Sequence, residues 1–473
     1  MTLFLPETLT VGIFAVLLLM TLWDADRVTR ALRPLMLLAA LCLLGFSIAG
    51  LSQTGGLFSS TYRVDLLSQG FKFLLSLAFL FTVLFSNDTF SVDPRKRVEC
   101  FLFLTSGLLG MMMITSAADL LTLYISLELS AYSLYLLSAL RRDHLNAESS
   151  VKYLIFGAAT SGIFLWGIGL VAGLAGTTSL LEISQKAPTL VSQPAFSLGL
   201  LLASLSFLFK LSGFPMHFLA PDVYESASTP VTLFIATASK AAAVAILVRF
   251  FMWMGLTPAF VTVLGVLAWI SMTLGNSVAL VQQDVKRLLA YSSIAQAGYI
   301  LVGLLAGSAA WYSSSAFYAF AYVLINAGAF FVTILVANSI RHDNPKLSDF
   351  DGLAERSPFL ALILLLSLLS LAGIPPLIGF TGKWILFSAA MDRGHWFLVL
   401  WGVLNSVVSL FYYLTLVKHA YLEKPKTPDR IHLPLGLKIA GVFLFCGIVF
   451  LGIYPNFFIT FAQNAVAQGL PHY

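Results

Sequence analysis

Apolar runs of about 20 residues, the length a helix needs to cross a bilayer, recur from one end of this sequence to the other. They fall near 5–23, 33–51, 67–86, 100–117, 119–140, 151–175, 194–220, 230–254, 258–279, 290–307, 312–338, 357–390, 396–418 and 434–454, with a short apolar tail at 457–470 expected along the interface. No loop between them is long enough to be a soluble domain. Only 10% of the 473 residues are charged and 59% are hydrophobic, against roughly 25% and 45–50% in soluble domains. A water-soluble enzyme and a disordered chain are both excluded. The expected fold class is an all-α polytopic membrane protein of about fourteen transmembrane helices. It reads as one membrane domain, with three N-terminal helices in 1–98, a first repeat in 99–255, a second in 256–420, and a last helix and tail in 421–473. Met1 to Leu22 has no basic leader segment and reads as the first span rather than a cleaved signal.

Basic residues give the expected orientation. Odd-numbered loops hold 18 Lys and Arg, Lys286 among them, and even-numbered loops and adjoining span ends hold 4: Arg63, Lys186, Arg249 and Arg393. The positive-inside rule places odd loops in the cytoplasm and both termini in the periplasm of a bacterial inner membrane. The net charge of +5 is thus a topology signal and implies no nucleic-acid partner. Lys72 and Lys438 lie near span ends, where long cations snorkel.

Two spans carry related interruptions. Residues 211–215 read Leu-Ser-Gly-Phe-Pro and 371–375 read Leu-Ala-Gly-Ile-Pro. Glycine and proline together deprive a helix of hydrogen bonds, so spans seven and twelve are expected to break at Gly213/Pro215 and Gly373/Pro375. The span numbers differ by five, an odd number, so the copies run oppositely through the membrane. Two inverted five-helix repeats with broken helices are the architecture of a translocator.

Lys210, Lys240 and Lys383 lie deep inside apolar spans, and Glu128 reads as the one acid of comparable depth. Each such charge costs about 2.5–3.5 kcal/mol on insertion scales. They mark either a proton path or a buried ion pair that fixes packing. Three lysines against one carboxylate favour protons, since crowding and desolvation drive an ammonium toward its neutral form, while a sodium site would need more oxygen ligands. His217, just past the first break, either relays protons or caps the broken helix. Tyr291, Ser292, Ser293 and Gln296 form a polar face on span ten that either holds water or bonds neighbouring helices. Cys42, Cys100 and Cys446 are far apart and show no metal-ligand spacing. Gly167, Gly169 and Gly173 miss the dinucleotide fingerprint. No metal or cofactor is expected on this chain.

These motifs have a family likeness. Lys210-Leu-Ser-Gly-Phe-Pro-Met-His217-Phe-Leu-Ala-Pro-Asp-Val-Tyr-Glu225 with Thr229-Pro-Val-Thr resembles the antiporter-like membrane subunits of respiratory complex I, NADH:quinone oxidoreductase, and the Pro-Asp-Val-Tyr-Glu form resembles their N type. Leu371-Ala-Gly-Ile-Pro-Pro-Leu-Ile-Gly-Phe-Thr-Gly-Lys383 is similar to the family's broken twelfth helix, and Asp284-Val-Lys-Arg-Leu-Leu-Ala-Tyr-Ser-Ser-Ile-Ala-Gln-Ala-Gly-Tyr299 to its tenth. The likeness covers about residues 100–420; the first hundred residues match nothing specific. It implies proton translocation, with Glu128 on helix five paired to Lys210 on helix seven, and Lys240 linking them to Lys383. It further implies that NADH, FMN, iron–sulfur clusters and quinone are held by other subunits. The implied partners are an M-type antiporter-like subunit, small membrane subunits, the lateral helix of an L-type subunit, and lipid. Lys383 argues against the M type, which usually has glutamate there, and the chain leaves no room for the L type's lateral helix. A multisubunit cation/proton antiporter of the Mrp type is the alternative.

Overall fold

The computed structural model describes residues 2–22, 25–86, 92–141, 144–255, 257–305, 307, 309–425 and 430–470; Arg142 and Lys426, counted above among the odd loops, lie outside them. The chain runs α1 (Leu5–Met20), α2 (Ala25–Ala49), a hairpin of β1 (Gly55–Leu57) and β2 (Tyr62–Val64), α3 (Leu66–Phe85), α4 (Arg97–Ser116), α5 (Leu120–Ser138) and α6 (His144–Ala175). It continues through the short α7 (Leu180–Leu190), then α8 (Pro194–Leu211) and α9 (Ala220–Ser226), which are the halves of span seven. Span eight is α10 (Thr229–Phe234), a π-helical segment (Ile235–Ser239) and α11 (Lys240–Met254). Then come α12 (Pro258–Ala279), α13 (Val285–Leu304), α14 (Ala309–Ile340), α15 (Leu353–Arg356), the two halves of span twelve α16 (Pro358–Ala372) and α17 (Ile378–Met391), α18 (Trp396–Tyr421), α19 (Leu435–Ile453) and α20 (Asn456–Gly469).

Helices stand at all fourteen expected positions. Among the described residues, 11 are long and apolar enough to cross a membrane by themselves. The other three positions are the 16-residue α1, the broken span twelve, and α13, whose Lys286, Arg287, Ser292, Ser293 and Gln296 lower its hydropathy. Span eight is wholly enclosed and α14 is almost entirely buried. The sequence of α11 explains its place: Ala241-Ala-Ala-Val-Ala lets neighbouring helices approach closely on every side.

Loop contacts keep the odd and even sets apart. Odd-loop groups meet one another: Arg141 donates to Asn344 at 2.9 Å, Lys286 to the Ala227 carbonyl at 2.6 Å, and Gly352 N–H to the His419 carbonyl at 3.0 Å. Even-loop groups do likewise: Ala118 N–H donates to Thr61 O at 2.9 Å, and Trp253 Nε1 to Gly469 O at 2.9 Å. Glu7 bonds Tyr62, and Gln468 accepts from Arg63. Both ends of the described chain therefore lie on the even-loop face.

The inverted repeat is visible in matched contacts. Asp119 caps α5 and pairs as a β-bridge with Ser179; Asp284 caps α13 and pairs with Lys346 on the opposite face. Gly110 packs on Ser126 and Ser130 of α5, and Gly275 on Tyr291 and Ala295 of α13. All these pairs on the fifth and tenth spans are offset by 165 positions, which sets Glu128 of the first repeat opposite Ser293 of the second.

Several expectations change. Span seven was expected to end at residue 220; instead α8 stops at Leu211 and the second half, α9, only begins at Ala220. The two breaks align one residue away from their lettering. The left-handed residue ending each first half is Ser212 (φ 61°) and Gly373 (φ 91°), and the cis prolines are Pro215 and Pro376. Lys72 does not snorkel: it is wholly buried, 2.7 Å from Glu7, which is itself wholly buried. Glu7, at the start of the first span, is thus a buried acid that its position along the sequence did not reveal. Arg249, read as an even-side topology marker, is buried against Asp65 at 2.8 Å, and Lys286 is buried too. A partner far along the chain draws each inward.

Candidate functional site

The breaks create the chemistry. The last carbonyls of an α-helix have no N–H partner within it and form the negative end of its dipole. In α8 the Leu211 carbonyl is such a group, and Lys240 Nζ donates to it at 2.5 Å and also to the Ser212 hydroxyl. In α16 the corresponding carbonyls are Leu371 and Ala372, and Lys383 Nζ donates to them at 2.8 and 3.2 Å, and to Ser406 at 3.2 Å. Each broken half-helix therefore ends on a buried ammonium. Lys240 comes from the next span, where the π-helical turn Ile235–Ser239 directly precedes it; such turns rotate the following residues relative to a regular helix and recur at functional sites. Lys383 comes from the second half of its own span. It reaches back to the break instead of outward, and its ammonium sits 4.4 Å from the Tyr299 ring centroid, a cation–π distance.

Glu128 and Lys210 share one cavity of about 40 Å³ between α5, α6 and α8. They make no direct ion pair; Glu128 accepts from Ser161, and Lys210 donates to Ser130. The cavity has room for a few waters, since one needs about 10–15 Å³. Lys210 also lines a second cavity of about 20 Å³ with Lys240, Ser239 and Tyr224. Lys210 is thus the group common to the Glu128 side and the Lys240 side. Glu128 is partly exposed on the α5–α6 flank, whereas Lys240 and Lys383 are 2% and 4% exposed.

Hydroxyls and one amide join the halves. Tyr224 Oη lies 3.4 Å from Ser293 Oγ, and Tyr322 donates to Ser293 at 2.9 Å. One helical turn on, Gln296 Nε2 donates to the Leu371 carbonyl at 3.1 Å and Oε1 accepts from Tyr318. Ser292 bonds Tyr413. Tyr412, Asn276, Tyr299 and Asn405 form a further buried network beside Lys383.

The structure brings together Glu128, Lys210, Lys240, Lys383, Ser293 and Gln296, with Ser292 at the edge. It sets His217 aside: Nδ1 lies 3.2 Å from the Pro215 carbonyl and the half-buried ring stacks on Phe214. Tyr291 takes no part in these bonds among the described residues. Sequence reasoning missed Ser130, Ser161, Ser212 and the tyrosines 224, 318 and 322. The signal available was that Tyr224 lies within the quoted Pro-Asp-Val-Tyr-Glu segment.

Comparison with known proteins identifies the family. The family model described as NADH:quinone oxidoreductase/Mrp antiporter, TM matches residues 117–409. NADH-quinone oxidoreductase subunit N 2 of Syntrophobacter fumaroxidans is 43% identical over 98% of both chains. Subunit N of Heliobacterium modesticaldum is 40% identical over 88% of both. Among solved structures, a chain of respiratory complex I from Thermus thermophilus with bound aureothin superposes with TM-score 0.84 at 33% identity, covering 98% of this chain and all of that one. An Mrp complex chain from Dietzia shares the fold alone, with TM-score 0.83 at 20% identity over 99% of this chain and 98% of that one. The chain belongs to the NADH:quinone oxidoreductase/Mrp antiporter family of membrane subunits, on its subunit N branch.

Proposed function

We infer that this chain is the proton-translocating subunit N of a bacterial NADH:quinone oxidoreductase. The observation that carries the reading is that both broken helices end their free carbonyls on buried lysines, Lys240 and Lys383. Each ammonium is held by carbonyls and a hydroxyl rather than by a carboxylate, so no fixed counter-charge binds its proton, which suits a proton carrier. Glu128 and Lys210 face one cavity with room for water in the first repeat, proposed to span 99–255. Tyr224, Ser293 and Gln296 then lead to Lys383 in the second, proposed to span 256–420. Protons enter from the cytoplasmic, odd-loop face, pass along the membrane centre, and leave from Lys383 to the periplasm, the side of both termini.

The redox groups of such a complex fit other subunits better than this one. Cys42, Cys100 and Cys446 are separate, and no three His, Cys, Asp or Glu side chains gather among the described residues. NADH, FMN, the iron–sulfur clusters and quinone are assigned to those partners. The partly exposed Glu128 flank is a natural surface for a small membrane subunit; an M-type subunit and the L-type lateral helix complete the proposed neighbourhood.

In the assembled complex, Glu128→Ala and Lys210→Ala are expected to leave the protein in the membrane and sharply reduce quinone reduction coupled to pumping. Full coupled turnover in both variants would overturn the reading. Sodium-dependent rather than NADH-dependent proton movement would favour the Mrp alternative.

A further inference from the structure

We propose that Lys286 is a positioning residue of the proton path: from the second repeat it holds the half-helix α9 so that Tyr224 stays between the Lys240 cavity and Ser293. The proposal rests on the translocating reading above.

Lys286 is the second residue of α13 and is wholly buried. Its ammonium donates to the Glu225 carbonyl at 2.9 Å, the Ala227 carbonyl at 2.6 Å and Asn344 Oδ1 at 3.3 Å. Among the described residues no carboxylate lies within ion-pair distance of it. The carboxylates of Asp343, Asp284 and Glu225 act on it only from beyond that distance, so its direct partners are carbonyls and an amide rather than an ion pair. What Lys286 holds is the C-terminal end of α9, where carbonyls are free and the helix dipole favours a cation.

A helix of 7 residues does not persist by itself in the absence of tertiary contacts. Here α13 supplies them twice, because Arg287 also bonds the Asp222 and Glu225 carboxylates at 3.1 and 2.6 Å. Tyr224 immediately precedes Glu225, so displacing that carbonyl displaces the phenol. The Tyr224–Ser293 separation of 3.4 Å is already long for an O–H···O bond, and a small retreat breaks it. Lys286 and Ser293 are seven residues apart, about 10.5 Å and two turns on one face of α13. One helix thus fixes α9 at its end and receives the hydroxyl that α9 presents.

The test uses the intact complex in sealed membrane vesicles, comparing NADH-driven proton uptake in Lys286→Met, Lys286→Arg, Tyr224→Phe and the double variant Lys286→Met/Tyr224→Phe. Lys286→Met should slow uptake about tenfold with assembly unchanged, the scale expected when a relay group is misplaced, and Lys286→Arg should restore most of it. Because Lys286 acts through Tyr224, the double variant should be no slower than Tyr224→Phe alone. Multiplicative losses in the double variant, or wild-type uptake in Lys286→Met, would overturn the proposal. If Lys286→Met does not assemble, Lys286→Gln replaces it; failure of that variant to assemble as well would make Lys286 a structural staple and end the positioning claim. Lys210→Ala, run alongside, separates the outcomes: wild-type pumping there removes the translocating reading itself.

Discussion

Gln296 and Lys383 donate to the same atom: the Leu371 carbonyl oxygen accepts from Gln296 Nε2 at 3.1 Å and from Lys383 Nζ at 2.8 Å. Were Lys383 to give up its proton, that carbonyl would still have a donor in Gln296, so the broken end of α16 would not be left unsatisfied. The amide also ties the lysine to Tyr318 through its oxygen. The two halves of the proposed path therefore meet at a backbone atom freed by the break in span twelve.

Replacing Gln296 by Leu should strand the buried Tyr318 hydroxyl, at a cost of about 1–3 kcal/mol. The expected outcome is a lower melting temperature of the isolated complex together with slower coupled turnover. Unchanged values of both would mean that the amide is incidental.

Glu128→Gln isolates charge from hydrogen bonding, because glutamine still accepts from Ser161. If the carboxylate acts on Lys210 across their shared cavity by its charge, Glu128→Gln should impair coupled turnover as severely as Glu128→Ala. Wild-type turnover in the glutamine variant would reduce Glu128 to an anchor for Ser161.

The wholly buried Glu7–Lys72 pair lies outside the proposed path. Either Glu7→Leu or Lys72→Leu alone should destabilise the protein by about 3–5 kcal/mol, because an unpaired charge stays buried. The double variant should cost less than the sum of the two, measured as accumulation and thermal stability of the complex. Additive losses would show that the pair is not coupled.

Much of this was legible in the letters. The fourteen spans follow from hydrophobic length, and both breaks follow from glycine and proline. Three limits were physical. Leu-Ser-Gly-Phe-Pro and Leu-Ala-Gly-Ile-Pro align by letter at one offset, but Ser212 takes the left-handed conformation without being glycine, and Pro376, not Pro375, occupies the place of Pro215. Lys72, Arg249 and Lys286 were read by position as interfacial or loop cations. Their partners lie dozens of residues away along the chain, and helical periodicity carries no information about such contacts. Ser293 stands where the first repeat has Glu128, so the equivalent position of the second repeat is neutral and gave no charge signal.

The proposed orientation rests on the basic count, and the loop contacts add only which loops share a face. A reporter active only in the cytoplasm, fused to the C-terminus, should be silent, and the same reporter inserted in the loop after span five should be active. The reverse pattern would invert the proposed direction of transport.

Lys383→Arg tests the central claim most directly. Arginine keeps the charge and can bond the Leu371 and Ala372 carbonyls, but its guanidinium does not release a proton in proteins. In vesicles containing the reconstituted complex, the account predicts that Lys383→Arg assembles and pumps poorly, while Lys383→Glu retains part of the rate because a carboxylate also cycles its proton. Wild-type pumping by Lys383→Arg would contradict it and leave Lys383 as a fixed charge at a helix end.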